Sequence, residues 1–222
     1  MTAVISPAVQ NYLKAIHRLG GDSKVVSPTD IAIQLGVSHP SVTGMLKRLH
    51  DANWIVYESR SGAKLTDLGV SEARRVIRRH RLIELFLTRV LGLDWSEVDA
   101  EAEALEHAIS PRLEQALADY LGDPLEDPHG HPIPTSSGEL HRRHLISLAE
   151  GLPGQKMIIR EVQDDDPARL RRWQGLGLIP GNLVTIHSLQ ELDGIFEISV
   201  DHTIIHLSRE GICGLRGEFL PG

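Results

Sequence analysis

The chain has 222 residues and a mass of 24.5 kDa, with 41% hydrophobic residues, 24% charged residues and a formal net charge of −7. This composition excludes a disordered or fibrous chain, and the length is typical of about two domains. No apolar run approaches the roughly 20 residues that span a bilayer, and residues 1–10 lack the features of a signal peptide. The single cysteine, Cys213, excludes an internal disulfide and a thiolate metal cage, so we expect a cytoplasmic protein with no membrane partner.

The charge is divided unevenly along the chain. Residues 1–80 contain eleven lysines and arginines against six acids, whereas the remainder contains twelve against twenty-four. This asymmetry is expected of a nucleic-acid-binding module joined to a cation-binding module. Chance segregation of charges on solvated faces is the alternative interpretation, and the charge pattern alone does not decide between the two.

Three amphipathic helices are predicted within residues 7–54. Pro7 can open the first helix, and a Gly-Gly pair ends it. Ser27 is typical of an N-cap for the second helix, which Gly36 ends in a left-handed turn. The segment 38–41 then opens the third helix. A short helix, a tight turn and a capped second helix form the helix-turn-helix pattern.

Two strand-like runs follow the third helix. They occupy residues 54–58 and 62–66 and flank a polar tip at 59–62. Short strands on either side of a polar, glycine-containing tip are typical of a β-hairpin. Three helices followed by a hairpin predict a winged helix-turn-helix.

The third helix and the wing carry the predicted DNA contacts. The N-terminal end of this helix is expected to enter the major groove, where hydroxyl groups contact phosphates or base edges and Pro40 can touch a thymine methyl. Lysines and arginines would neutralise backbone phosphates. Ser38 and Ser41 can instead cap the helix, or do both. The candidate DNA-binding residues are Ser38, Pro40, Ser41, Thr43, Lys47, Arg48, Arg60 and Lys64.

Two clusters of carboxylates and imidazoles lie beyond the wing on predicted helices, one from Thr66 to Leu87 and one from Ser96 to about Ala108. The clusters are His80 and Glu84 on the first helix, and Asp99, Glu103, Glu106 and His107 on the second. Spacings of three and four residues place each cluster on one helix face. Facing carboxylates repel unless a divalent cation neutralises them, so two such clusters favour a metal site. A lone His-Glu pair would be an ordinary solvated pair.

The chain then changes character twice. The prolines of the segment Asp127–Pro134 predict a fixed turn, with His129 and His131 as the alternative of extra metal ligands. Beyond residue 152, strand-like runs separated by turn residues predict a small β domain, with a short helix that begins near Asp166. The predicted strands are 157–159, 183–186, 195–200 and 203–207.

Four features together resemble the diphtheria-toxin-repressor and manganese-transport-regulator family. They are the winged helix, the stretches Arg79–Glu84 and Glu103–His107, and the proline-rich segment. The resemblance covers essentially the whole chain and implies a mainly α fold with a small β part. The implied domains are a winged helix-turn-helix DNA-binding domain at 1–72, a helical metal-binding and dimerisation domain at 73–145, and an SH3-like β-barrel, similar to that of ferrous-transport accessory proteins, at 152–222.

The resemblance also implies function, because members of that family are metal-activated dimeric repressors. It predicts a homodimer on double-stranded operator DNA, with metal ligands at the six clustered residues. In such regulators the SH3-like domain can lend a further ligand, for which the acidic run Asp164–Asp166 is the candidate, Asp166 by position. A solvated acidic loop is the equally strong alternative.

Two departures from the family pattern bear on the metal. Asn11 stands where the family usually has methionine or aspartate, which predicts a weaker or water-mediated contact. Glu103 stands where iron-selective members often have cysteine. Oxygen and imidazole ligands favour Mn(II), with Fe(II) second, although zinc or nickel can bind tightly in vitro.

The predicted function is therefore a metal-dependent transcriptional regulator, most simply a repressor of metal-homeostasis genes. A dimer interface is predicted on the apolar residues Leu85, Phe86, Val90, Leu113 and Leu117. The alternative is a winged-helix regulator controlled by a small organic ligand. A metal-dependent hydrolase is disfavoured, because the sequence has no nucleophile elbow, phosphate loop or His-Glu-x-x-His pattern.

Overall fold

The computed structural model describes residues 5–141, 143–163, 165–190 and 192–221; Asp164 of the predicted acidic run lies outside them. The chain divides into two compact units. The N-terminal unit comprises Met1–His80, Ala104–Ser110 and Pro134–Leu140, and the C-terminal unit comprises Arg81–Glu103, Pro111–Ile133 and His141–Gly222. None of the helices among the described residues is long and apolar enough to cross a membrane.

Eight α-helices and eight β-strands are found in the described residues. The helices are α1 (Pro7–Arg18), α2 (Pro28–Leu35), α3 (His39–Asp51), α4 (Asp67–Arg89), α5 (Val98–Leu105), α6 (Pro111–Leu121), α7 (Pro167–Gly175) and α8 (Arg209–Ile212). The strands are β1 (Ile55–Glu58), β2 (Gly62–Leu65), β3 (Ile146–Ser147), β4 (Lys156–Val162), β5 (Leu183–Gln190), β6 (Ile195–Val200), β7 (Thr203–Ser208) and β8 (Leu215–Phe219).

The N-terminal unit contains the predicted winged helix-turn-helix. The Ser27 hydroxyl accepts a hydrogen bond from the Asp30 backbone N–H at 3.1 Å, and Gly36 ends α2 with φ of 63°. After α3, strands β1 and β2 pair antiparallel, with Ile55 opposite Leu65. Both residues are buried against the helices in one apolar core, so the wing is fixed to the helical part.

The start of α3 differs from a simple cap. Ser38 occupies the N-cap position, but its hydroxyl lies 2.9 Å from the Ser41 hydroxyl and makes no cap hydrogen bond to the backbone. The Thr43 hydroxyl donates to the His39 carbonyl at 3.1 Å. Both serines are exposed, so their hydroxyls lie on the surface that was predicted to face DNA.

Helix α5 is shorter than predicted. We expected a helix over residues 96–108, whereas α5 spans Val98–Leu105, and Glu106 and His107 lie in the turn that follows. Their side chains make hydrogen bonds to α1 instead of continuing the helical surface. The spacing of residues cannot show these contacts, because the partners are far away in the sequence.

The C-terminal unit contains a six-stranded antiparallel sheet in the order β3-β8-β4-β5-β6-β7. The four predicted strands are confirmed, and β3 and β8 are additional. Strand β3 has two residues, and β8 has a glycine, Gly217, at its centre with charged residues on either side, so neither shows a clear strand pattern. Trp173 of α7 and Phe196 of β6 are fully buried in the core of this domain.

The predicted place of one residue in the dimer interface is wrong. Leu85 was assigned to the dimer face, but it is 1% exposed and packs with Leu82, Ala118 and Ile133 in a core of the C-terminal unit. The helical repeat of α4 places Leu85 on its inward side, which the sequence alone did not distinguish from a surface stripe.

The proline-rich segment forms the predicted turn. Asp127 Oδ1 accepts hydrogen bonds from the backbone N–H groups of His129 and His131, at 2.8 and 2.9 Å. The His129 carbonyl accepts from Val162 N–H of β4 at 2.9 Å. Gly130 adopts φ of 86°, and a Cβ there would lie only 1.9 Å from the Arg160 carbonyl oxygen. Glycine is therefore required where the turn meets β4.

Candidate metal centre

A buried carboxylate of the N-terminal unit binds two basic groups. Glu106 is fully buried; His80 Nδ1 lies 2.7 Å from its Oε2, and Lys14 Nζ lies 2.8 Å from both carboxylate oxygens. Burial raises the pKa of Glu106, but the hydrogen bond from His80 and the charge of Lys14 outweigh it, so the pKa lies below its ordinary value. Glu106 is therefore held as a carboxylate, which is the form that binds metals.

The imidazole of His107, beside Glu106, is held by a side chain of α1. His107 Nδ1 lies 2.8 Å from Gln10 Oε1, and Gln10 Nε2 donates to Glu72 Oε1 at 2.9 Å. Because an amide oxygen only accepts, His107 Nδ1 must carry a proton, and its Nε2 lies 3.4 Å from Glu106 Oε1. Partners that fix the tautomer of a histidine in this way are typical of metal sites.

The C-terminal unit contains a similarly held imidazole, that of His129, for which the sequence favoured a structural role in a turn. His129 is fully buried, its ring stacks on Trp95, and its Nε2 lies 2.9 Å from the Trp95 carbonyl oxygen. Nε2 therefore carries a proton, and Nδ1 lies 3.7 Å from Glu84 Oε1. Glu84 and Asp99 offer oxygens within 4.8 Å of each other. Glu84, Asp99 and His129 together have the donor types of a divalent cation site.

Asp127 supports the turn beside His129. Its carboxylate is buried, lies 3.2 Å from His131 Nδ1 and 3.4 Å from Arg81 Nε, and shares a potential metal-binding group with His129 and His131. Burial raises the pKa of Asp127, but the charge and hydrogen bond of His131, then the charges of Arg81 and His129, bring it well below its ordinary value. Asp127 is therefore ionised in the folded protein.

The lowered pKa of Asp127 predicts a loss of stability in acid. A carboxylate whose pKa is lower in the folded protein than in the unfolded chain stabilises the fold at pH values above its unfolded-state pKa. This contribution disappears as the pH falls through the folded-state pKa. For the metal-free protein we expect the free energy of unfolding to fall between pH 5 and pH 2. Asp127→Asn should lose about 3 kcal/mol at pH 7 and show a shallower fall.

Denaturant unfolding at a series of pH values measures both effects. Asp119→Asn is the matched control, because Asp119 is exposed on α6. An Asp127→Asn slope as steep as that of the wild type would contradict this role for Asp127.

Three buried atoms indicate that these groups fit a metal. Asn11 Oδ1, His107 Nε2 and His129 Nδ1 are inaccessible to solvent and have no hydrogen-bond partner among the described residues. A buried polar atom without a partner costs about 1–3 kcal/mol, and each of these atoms can offer a lone pair to a cation, the two ring nitrogens in their unprotonated form. All are nitrogen or oxygen atoms, which suits a divalent first-row metal.

The other predicted ligands take different places. Asn11 lies on α1 and Glu103 in the last turn of α5, both half-buried. Asp166 is exposed and caps α7, where its Oδ1 accepts from the backbone N–H groups of Ala168 and Arg169. The metal-binding roles of Asn11, Glu103 and Asp166 stay predictions.

The predicted DNA-binding residues lie mostly on the surface. Thr43 and Lys64 are half-buried, and the other six residues are exposed. Exposure at the start of α3 and on the wing is what the predicted DNA contacts require, and the individual contacts stay predictions.

Three family models match successive parts of the chain. The N-terminal DNA binding domain of the iron dependent repressors matches residues 5–63, their metal binding and dimerisation domain matches 66–135, and the FeoA domain matches 146–213. With the relatives below, these matches show that the chain belongs to the iron-dependent repressor family of metal-dependent transcriptional regulators. The predicted family and fold class are confirmed.

Particular relatives match over most of their length. The iron-dependent repressor IdeR of Mycobacterium leprae is 30% identical over 190 residues, 80% of this chain and 82% of that protein. The diphtheria toxin repressor of Corynebacterium diphtheriae is 34% identical over 157 residues, 67% and 70% of the two chains. A manganese-dependent transcriptional repressor in complex with manganese superposes with a TM-score of 0.88 at 30% identity, over 96% of this chain and 100% of that chain. These relatives are repressors and not enzymes, and none supports control by a small organic ligand.

Proposed function

We propose that this regulator represses transcription by binding operator DNA as a homodimer when a divalent cation, Mn(II) first and Fe(II) second, occupies its metal centres. The observation that carries the proposal is a pair of imidazoles, each held by a protein acceptor. His107 and His129 each donate one ring N–H to a protein acceptor and keep the other nitrogen buried without a hydrogen-bond partner among the described residues. Two imidazoles prepared in this way are expected of a metal protein.

The proposed ligands form two centres, one in each unit. In the N-terminal unit we assign His80, Glu106 and His107, with Asn11 as a neutral oxygen donor. In the C-terminal unit we assign Glu84, Asp99 and His129. Glu103, in the last turn of α5, stays a predicted further ligand. The sequence placed all of these residues except His129 among its preferred ligands.

The chemistry of the donors favours manganese. The assigned ligands are carboxylate, amide and imidazole groups, without a thiolate or thioether, and such sets suit hard cations. Cys213 is exposed in the turn after α8 and is not among these ligands. Relatives with similar chains are named as manganese-dependent and as iron-dependent repressors, and a further solved structure is titled as binding Zn²⁺.

Contacts within the N-terminal unit connect the metal ligands to the DNA-binding helices. Glu106 and His107 bind Lys14 and Gln10, and both of these partners lie on α1. Helix α1 shares an apolar core with α2, α3 and the wing. When bound, a divalent cation supplies two positive charges at Glu106. A change in these contacts on metal binding would therefore alter the position of the recognition helix α3. A coupling of about 1–3 kcal/mol between metal binding and DNA binding changes DNA affinity 5- to 150-fold.

The dimer is supported by exposed apolar side chains. Val90, Leu113 and Tyr120 are 39%, 46% and 69% exposed, and the matched family model is described as a dimerisation domain. A twofold dimer presents two recognition helices to half-sites about 34 Å apart along DNA.

Fluorescence anisotropy tests the proposed function directly. A labelled promoter duplex that the protein binds is titrated with protein in the presence of Mn(II) and in the presence of a chelator. We expect at least fivefold tighter binding with Mn(II). Equal affinity under both conditions would exclude regulation of DNA binding by the metal.

Lys47 provides a test of the DNA-binding surface. It is exposed on α3, and a lysine that contacts phosphate releases counterions on binding. We expect Lys47→Ala to weaken binding to all sequences similarly and to reduce the slope of log K against log salt by about 1.

Anisotropy titrations at several salt concentrations measure this slope. Lys156→Ala is the control, because Lys156 is exposed on β4 of the C-terminal unit. An unchanged slope in Lys47→Ala would remove Lys47 from the interface.

A further inference from the structure

Lys14 is a buried lysine whose ammonium binds a proposed metal ligand. The residue is 4% exposed, and its Nζ lies 2.8 Å from both Oε1 and Oε2 of Glu106, which is fully buried. Lysine is almost never fully buried unless it is paired. The cationic group therefore sits on both oxygens of a carboxylate that we assign to a divalent cation.

The Lys14 ammonium and a divalent cation would both bind the carboxylate oxygens of Glu106. The Lys14 ammonium uses one lone-pair direction at each carboxylate oxygen, and His80 Nδ1 uses a further one at Oε2. A divalent cation on these oxygens with the ammonium still 2.8 Å away would place like charges close together in a region of low dielectric. Such charges repel strongly. Binding of a cation to Glu106 is therefore expected to displace the Lys14 ammonium.

Competition from the Lys14 ammonium lowers the apparent affinity of Glu106 for a divalent cation. When only a fraction of the protein has the carboxylate available, the apparent Kd is the intrinsic Kd divided by that fraction. The lysine is attached to α1 and is always present, so its competition does not depend on the composition of the solution. Its flexible four-carbon stem allows the ammonium to leave without unfolding α1.

We propose that Lys14 is a tethered counter-cation that competes with the divalent cation for Glu106 and so sets the metal concentration at which the regulator responds. The inference rests on the proposed function, since it takes Glu106 as a metal ligand. In the metal-free protein the ammonium neutralises the buried carboxylate. In the metal-loaded protein that neutralisation is supplied by the cation.

Lys14→Met tests the inference, because methionine keeps an unbranched apolar stem and removes the charge. Calorimetric titration of the full chain with Mn(II) is expected to give at least about tenfold tighter binding than the wild type. The melting temperature of the metal-free variant should fall, since the Glu106 carboxylate is left buried without its ammonium, and Mn(II) should restore it. Lys156→Met is the control, because Lys156 is exposed on β4, and it should change neither value.

Two further variants keep the test decisive. Should Lys14→Met not fold, Lys14→Gln retains a hydrogen-bond donor without the charge and should also tighten Mn(II) binding. Lys14→Arg retains the charge and should keep the wild-type affinity within a few-fold. Unchanged or weaker Mn(II) binding in the uncharged variants would overturn the inference.

Glu106→Gln distinguishes failure of the inference from failure of the proposed site. If Glu106→Gln loses Mn(II) affinity while the uncharged Lys14 variants bind as the wild type does, Glu106 is a ligand and Lys14 is not a competitor. If Glu106→Gln binds Mn(II) as the wild type does, Glu106 is not a ligand, and the proposed centre is wrong together with the inference.

Discussion

Replacing Glu106 by glutamine is expected to weaken Mn(II) binding about 100-fold or more and to abolish the effect of Mn(II) on DNA affinity. Loss of a hydrogen-bond partner of a ligand already costs 10- to 100-fold in metal affinity, and Glu106 is assigned as a ligand itself. Its pKa is held low by His80 and Lys14, so the group that is removed is a carboxylate at neutral pH. Glutamine keeps the size and removes the charge.

The same variant should destabilise the metal-free protein. Glutamine leaves the Lys14 ammonium buried without its anion, which costs about 3–5 kcal/mol. Calorimetry with Mn(II), DNA anisotropy and thermal unfolding therefore have to be measured together on folded protein.

Glu101→Gln is the matched control for Glu106→Gln. Glu101 is exposed on α5, five residues before Glu106, so its loss should leave all three measurements near the wild type. A folded Glu106→Gln protein that still responds to Mn(II) with the wild-type midpoint would remove Glu106 from the proposed centre.

Replacing His129 by phenylalanine is expected to remove the cation of the C-terminal centre. Phenylalanine fills the buried space and can still stack on Trp95, but it has no nitrogen to face Glu84. We expect the number of Mn(II) ions per chain to fall by one, because Glu84 and Asp99 keep only oxygen donors. The Mn(II) concentration for half-maximal DNA binding should rise about tenfold or more.

Metal analysis of dialysed protein gives the ion count, and anisotropy gives the midpoint. His187→Phe is the control, since His187 lies exposed on β5 with its Nε2 2.8 Å from the Ser199 hydroxyl. An unchanged ion count in folded His129→Phe would show that His129 is a structural residue of the turn.

The winged helix was predictable because its signals are local. A capping hydroxyl at Ser27 and a left-handed glycine at Gly36 act within a few residues of the chain, and the apolar spacing of α1 and α3 fixes which faces are buried. The same local logic failed for α5, where tertiary contacts of Glu106 and His107 replace its expected last turn.

The candidate ligands were only partly predictable. Spacing identified His80, Glu84 and Asp99 as members of acidic clusters, and the proline-rich segment was correctly interpreted as a turn. That interpretation concealed His129, whose imidazole is directed towards Glu84 by the backbone of the turn and by the Trp95 carbonyl. The sequence signal for this ligand was the position of His129 between the Asp-Pro pair that starts the turn and the glycine that follows it, because both restrict the backbone that orients the imidazole.

The sequence by itself determined the domain types, the wing and the family, and it supplied most of the proposed donor residues, because these depend on neighbours in the chain and on residue type. Only the tertiary structure decided which ring nitrogen of His107 faces Gln10 and that the Lys14 ammonium lies against Glu106. The pairs that decide this, Gln10 with Glu72, Lys14 with Glu106 and Gln10 with His107, join residues 62, 92 and 97 positions apart. Hydrogen bonds and charges act through space, and no local pattern encodes partners at such separations.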